Sequence, residues 1–227
     1  MTVNAIERVP DADIPVHIVS YGGVGSKMLV KWLYPDREPS YQERAHHHWR
    51  FPPSGVGENQ RFIYVFGDPR NTVISFFQRK LSRHGGHGFE WSEKHLQPYR
   101  QWTTLAVKNL EAEPVGLTPE WELADMLGRE VDAFQFEDHF QRWLSYAEEL
   151  PVTFLRYESM WDYISLTSAL FNGDPSAFPD RSPRRADWQS ESKEIGEGLT
   201  KLYGKFAAYL SELPDVFVIS DAKIKAL

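Results

Sequence analysis

The chain has 227 residues, 41% of them hydrophobic and 25% charged, which suffices for one sizeable core and is ordinary for a globular protein. It holds no cysteine, excluding disulfides, thiolate nucleophiles and cysteine zinc sites, and a formal charge of −7 argues against coating nucleic acid by bulk electrostatics. No stretch approaches the roughly 18 to 20 apolar residues that cross a bilayer, and MTVNAIERVPDADIP is too polar for a signal peptide. The expectation is a single domain over 1–227, cytoplasmic, with neither membrane nor nucleic acid as partner.

In chain order, PVHIVSY (15–21) is short and β-branched, as a buried strand is, and runs into GGVGSK and then into MLVKWL with helical apolar spacing. RFIYVF (61–66), the turn GDPR and NTVISFFQRKL repeat that strand, loop and helix order. Two such units predict a parallel sheet. Residues 84–118 show no sustained period and read as a long surface excursion, the kind of segment that carries acceptor contacts, so 84–130 is assigned to the acceptor side. Thr118, Pro119 and Gly128 frame a short helix over WELADMLG as N-cap, first position and stop. Phe136, Phe140, Trp143, Leu144 and Ala147 recur at helical spacing within 134–150. PVTFLRY (151–157) is a third strand, ESMWDYISLTSALF a further helix, and 173–191 a loop rich in Pro and Arg. The last helix carries Leu199, Leu202, Tyr203, Phe206, Leu210 and Leu213 on one face, and PDVFVI adds a short edge strand. The alternation predicts an α/β fold: a three-layer, P-loop-type domain with a central parallel sheet flanked by helices.

With a negative net charge, any anion site must be local, and basic residues do cluster at RAHHHWR (44–50), QRKLSRHGGH (78–87) and RSPRR (181–185). A glycine-rich turn between strand and helix lets backbone N–H groups approach a phosphate, while the helix N-terminus adds partial positive charge at the same spot. GGVGSK (22–27) has that context but is not a Walker A sequence, because its Lys is not preceded directly by Gly and followed by Ser or Thr. Lys27 in the first helical turn opposes the dipole unless an anion offsets it.

On these motifs the chain resembles the sulfotransferase family that uses 3′-phosphoadenosine-5′-phosphosulfate (PAPS). VSYGGVGSKMLVKWL is similar to its 5′-phosphosulfate loop, FIYVFGDPRNTVISFF to its 3′-phosphate motif, and HFQRWLSYAEELPVTFLRYESMWDYI to the helix, strand and RYEDM sequence that follow. The resemblance implies nucleotide contacts from Gly22, Gly23, Val24, Gly25, Ser26, Lys27 and Met28, from Arg70 and Ser75 at the 3′-phosphate, and from Tyr157 at the adenine. Arg184 and Arg185 fall where the family places a late basic loop over the 3′-phosphate. It implies PAPS as co-substrate, no metal, and a small acceptor: a sugar, phenol or amine. The departures are specific. The family's loop Lys or Arg falls on Gly23, its threonine on Lys27, its adenine-stacking tryptophan on Met28 and its 3′-phosphate arginine on Gly67. Lys27 and Arg70 can supply the displaced charges from a helical turn away.

His46, His47 and His48 precede WRFPP where the family shows KTHLP, with His48 on the catalytic histidine. Imidazole titrates near neutrality, which suits a general base. Two other readings stay open at this point: a metal site from His46 and His48 with His84 and His87, and, for the whole chain, a P-loop small-molecule kinase using Asp68 for Mg²⁺. The replacements at Gly23 and Gly67 add a third, a nucleotide-binding protein of this fold without catalysis. The aromatic residues Phe89, Trp91, Tyr99, Trp102 and Trp121 are candidates for stacking on an acceptor ring.

Overall fold

In the computed structural model, residues 9–81, 102–220 and 223–227 are described. His84, His87, Phe89, Trp91 and Tyr99 lie outside them. The chain divides into two compact units. The first comprises Met1–Gly67, Asp138–Ser182 and Pro214–Leu227; the second comprises Asp68–Glu137 and Pro183–Leu213.

The first unit holds a six-stranded sheet, ordered β2-β1-β3-β4-β5-β6. Its strands are β1 (Val16–Ser20), β2 (His46–His47), β3 (Arg61–Phe66), β4 (Val152–Arg156), β5 (Val216–Ser220) and β6 (Lys223–Ala226). β2, β1, β3 and β4 are parallel, with Ile18 beside His46, Ile63 beside Ile18, and Tyr64 beside Phe154. β1 is buried along its whole length and β3 everywhere except Arg61, as expected of parallel strands covered on both faces. β5 and β6 form an antiparallel hairpin on β4. PDVFVI is therefore an interior strand, and the polar KIKA segment takes the edge, where its exposed lysines blunt further pairing. Helices α1 (Ser26–Leu33) and α2 (Pro39–Arg44) connect β1 to β2.

The second unit contains α3 (Pro69–Leu81), α4 (Trp102–Asn109), α5 (Leu123–Gly128) and α8 (Lys193–Glu212). α6 (Phe136–Tyr146) begins in this unit and continues in the first from Asp138, which also holds α7 (Ile164–Phe171). Two expectations are corrected here. Residues 102–109, read as part of a structureless excursion, are helical and bury Thr103 and Ala106. The helix expected to start at Thr118 starts at Leu123, because Glu122 and Asp125 form a reciprocal capping box that satisfies two end amides. The second unit packs Phe76, Phe134, Phe136 and Tyr203 together. Its buried Asp132 accepts hydrogen bonds from the Phe134, Gln135 and Phe136 amides and from the Tyr203 hydroxyl at 2.8 Å.

Candidate functional site

The site in the first unit starts where β1 ends. After Ser20 the chain turns through Gly22, Gly23 and Gly25, all with positive φ (86°, 66° and 72°), a conformation that residues with a Cβ rarely adopt. Val24 between them is fully buried and anchors the turn in the core. α1 then opens with Gly25 as N-cap, without a side-chain cap and without an acidic residue in its first turn. Lys27 is exposed beside it. An uncapped helix start with an adjacent ammonium favours an anion.

A chain of hydrogen bonds ties this turn to the edge strand. The Gly22 amide donates to Ser20 Oγ at 3.1 Å, Ser20 Oγ donates to Ser26 Oγ at 2.9 Å, and Ser26 Oγ lies 2.8 Å from His46 Nε2. Since Ser26 accepts from Ser20, its own proton goes to His46, whose Nε2 is the acceptor. His46 is accordingly neutral: burial first, then the nearby His48, Lys27 and His47, push its pKa down to about 2. His48 makes a different bond, from Nδ1–H to the Ser20 carbonyl at 2.7 Å. A carbonyl can only accept, so in the neutral ring the lone pair falls on Nε2. The His46 and His48 rings meet edge to face, 4.6 Å between centroids. His47 turns the other way, its Nε2 3.0 Å from His17 Nδ1 and its ring stacked on Trp49.

Tyr157, in the turn that follows β4, closes over the glycine loop. A Cβ on Gly25 would lie 2.6 Å from Tyr157 Cε2 and 3.7 Å from Met28 Cε, so the loop, Met28 and Tyr157 come together. Gly67, at the end of β3, is held by the Tyr21 hydroxyl, which accepts from its amide at 2.8 Å and donates to its carbonyl. A Cβ there would meet both carboxylate oxygens of Glu158 at 2.9 Å. A carboxylate thus packs against Gly67, the position on which the resemblance puts a 3′-phosphate arginine.

The remaining candidates belong to the second unit. Arg70 grips the carboxylate of its neighbour Asp68, with Nε 2.9 Å from Oδ1 and Nη2 2.6 Å from Oδ2, and its guanidinium lies 3.9 Å from the Trp188 ring centroid. Asn71 Oδ1 accepts from the Trp188 amide at 2.8 Å, so the start of α3 pins the end of the basic loop. Ser75 and Arg184 are half-buried and Arg185 is exposed. Trp121 stacks under Arg129 within the same unit.

The sulfotransferase domain family model matches residues 37–163. The chain belongs to the sulfotransferase domain family. The matched span includes His48, Arg70, Ser75 and Tyr157; the glycine loop and Arg184 and Arg185 fall outside it. No curated protein and no solved structure matches the chain significantly. The mixed α/β sheet flanked by helices agrees with the sulfotransferase fold. Among the described residues no cluster of three or more His, Asp or Glu is arranged to hold a metal, and no helix is long and apolar enough to cross a membrane.

Sequence reasoning missed Ser20, Tyr21, Tyr64 and His139 of this sulfotransferase domain. His139 is fully buried, its Nδ1 2.7 Å from Tyr64 Oη and its Nε2 3.3 Å from the His48 carbonyl. The signal for it was present: a histidine on the apolar stripe of α6, three residues after Phe136 and four before Trp143.

Proposed function

We propose that this sulfotransferase domain transfers a sulfuryl group from PAPS to a hydroxyl or amine of a small acceptor, with 1–227 acting as one catalytic domain in the cytoplasm. The observation that carries the reading is the 2.7 Å bond from His48 Nδ1–H to the Ser20 carbonyl, next to a glycine loop and an uncapped helix start. It orients the imidazole so that the basic nitrogen of its neutral form is Nε2, beside the place suited to an anion. The acceptor oxygen or nitrogen attacks sulfur, the bond from sulfur to the bridging oxygen breaks, and that oxygen leaves on the 5′-phosphate with the electron pair. His48 Nε2 takes the acceptor proton, while the loop amides of Gly22–Ser26 and Lys27 stabilise charge on the departing phosphate. Met28 and Tyr157 receive the adenine; Arg70, Ser75, Arg184 and Arg185 serve the 3′-phosphate.

A kinase reading is less well supported, since the Asp68 carboxylate it needs for Mg²⁺ is gripped by Arg70 and the Ser26 hydroxyl is engaged by His46. The degenerate reading has one observation in its favour, the Glu158 carboxylate at Gly67. Calorimetric titration with PAPS, its desulfated product, and ATP with Mg²⁺ separates the three, and an acceptor screen with labelled donor follows. Positioned base catalysis contributes about 10² to 10⁴ in rate, so His48→Asn should lower turnover at least 10²-fold with nucleotide affinity within a few fold. Undiminished turnover would remove His48 as the base.

A further inference from the structure

β2 pairs with β1 only at His46 and His47. From His48 onward no ladder holds the backbone, yet a general base must be placed to a fraction of an ångström. Two consecutive carbonyls just past the strand are gripped by α6 instead. His139 Nε2–H donates to the His48 carbonyl at 3.3 Å, and Trp143 Nε1–H donates to the Trp49 carbonyl at 2.7 Å. These two residues are four apart, so one face of one helix supplies both bonds. We propose that His139, with Tyr64 behind it, is a positioning residue that fixes the backbone of His48 and so sets its imidazole against Ser20; this rests on the reading of His48 as the base.

The donors follow from the partners. A carbonyl accepts only, so His139 must carry its proton on Nε2, and Nδ1 of the neutral ring accepts from the Tyr64 hydroxyl at 2.7 Å. Burial keeps both groups neutral, lowering the His139 pKa to about 3 and raising that of Tyr64 well above its usual range. Both side chains are fully buried within an aromatic layer formed with Phe140, Phe154 and Trp143. Phenylalanine at 64 and leucine at 139 would fill that layer without burying polar atoms, whose desolvation is costly unless every bond is made. What the polar pair adds is a directed donor at the His48 carbonyl. The groups around it are Arg50 and Asp138 beside His139, and His46, with Lys27 close by, beside His48.

The test reads the His48 imidazole directly. Nitrogen-15 NMR of the full chain, at about pH 8 and so above the ordinary imidazole pKa of about 6.5, reports which nitrogen carries the proton. The parent should show His48 as the Nδ1–H form. His139→Leu should turn this into a mixture with the Nε2–H form and lower kcat by about 10²-fold, with the KM for the nucleotide unchanged. His139→Gln, which keeps one N–H donor and one carbonyl acceptor, should restore both. A folded His139→Leu protein with an unchanged His48 signature overturns the proposal. Should that variant not fold, Tyr64→Phe removes only the hydroxyl that orders the His139 tautomer, and an unchanged His48 signature there overturns it equally. Undiminished turnover in His48→Asn would instead refute the base assignment and leave the tautomer result standing.

Discussion

Gly25→Ala tests the tightest point of the glycine loop. The residue sits at φ +72°, and an added Cβ would lie 2.6 and 2.8 Å from Tyr157 Cε2 and Cδ2, closer than real carbon contacts allow. Holding a non-glycine residue in the left-handed region costs roughly 1 to 2 kcal/mol. Forcing an extra methyl against a packed ring typically costs a further 1 to 3 kcal/mol or so, because the ring must leave its rotamer. The Tyr157 ring is not at liberty to retreat, since it packs edge to face against Trp161 at 5.5 Å. The expected loss is therefore about 2 to 5 kcal/mol, read as a fall in the urea midpoint at constant slope. Made on a Tyr157→Ala background the same substitution should cost only the conformational part, about 1 to 2 kcal/mol, and the difference between the two measurements isolates the clash. If Gly25→Ala costs the same in both backgrounds, Tyr157 does not close over the loop as described.

Lys27→Ala should weaken 3′-phosphoadenosine-5′-phosphate binding by about tenfold or more, as loss of a charged hydrogen bond does, and a thermal-shift titration flat for the parent protein would remove the nucleotide assignment altogether. Arg70→Ala should abolish any preference for the 3′-phosphorylated nucleotide over its 3′-hydroxyl analogue; a preference that persists would confine Arg70 to its contacts with Asp68 and Trp188 and pass the role to Arg184 and Arg185. Acidification should destabilise the fold. His17, His46 and His139 have folded pKa values lowered to about 4, 2 and 3, chiefly by burial, so below the ordinary value of 6.5 the unfolded chain takes up protons that the folded one refuses. Stability from these groups is full above that value and falls as pH drops, with a slope approaching about 4 kcal/mol per pH unit near pH 5 if all three contribute. Urea midpoints that stay constant from pH 7 to about 5 would contradict this burial.

The elements legible in the sequence are those with a strong period, a continuous apolar run or a clear stop signal: β1, β3, β4 and β5, and α1, α3, α5, α6, α7 and α8. The glycine loop was legible because three glycines between such elements have few other uses. What escaped was polar and tertiary. Ser20 reads as the polar end of a strand, and only the fold reveals that its hydroxyl bonds Ser26 while its carbonyl accepts from His48. Tyr64 and His139 are 75 positions apart, in two separate stretches that carry the resemblance, and nothing local in either announces their bond. α4 escaped because three of the eight residues of WTTLAVKN are β-branched and lower its helix propensity, and burial of Thr103 and Ala106 decides its state. The sheet edge was misassigned because KIKA is too short and too charged to read as a strand until β5 lies beside it.

The parallel ladders also govern how the chain reaches this state. Phe62 pairs beside Val152 across about 90 residues, and Val16 beside Arg61 across about 45, so the central strands cannot join until long loops have closed. Among the described strand pairings only the β5–β6 hairpin, with Ser220 opposite Lys223, is local enough to form within microseconds. Loop-closure entropy is spent before the central contacts return anything, which places this topology among slow folders. During that interval the largely apolar strand RFIYVF is open to other chains, so dilution during refolding, and slow synthesis or chaperone supply in the cell, should govern the yield of native protein.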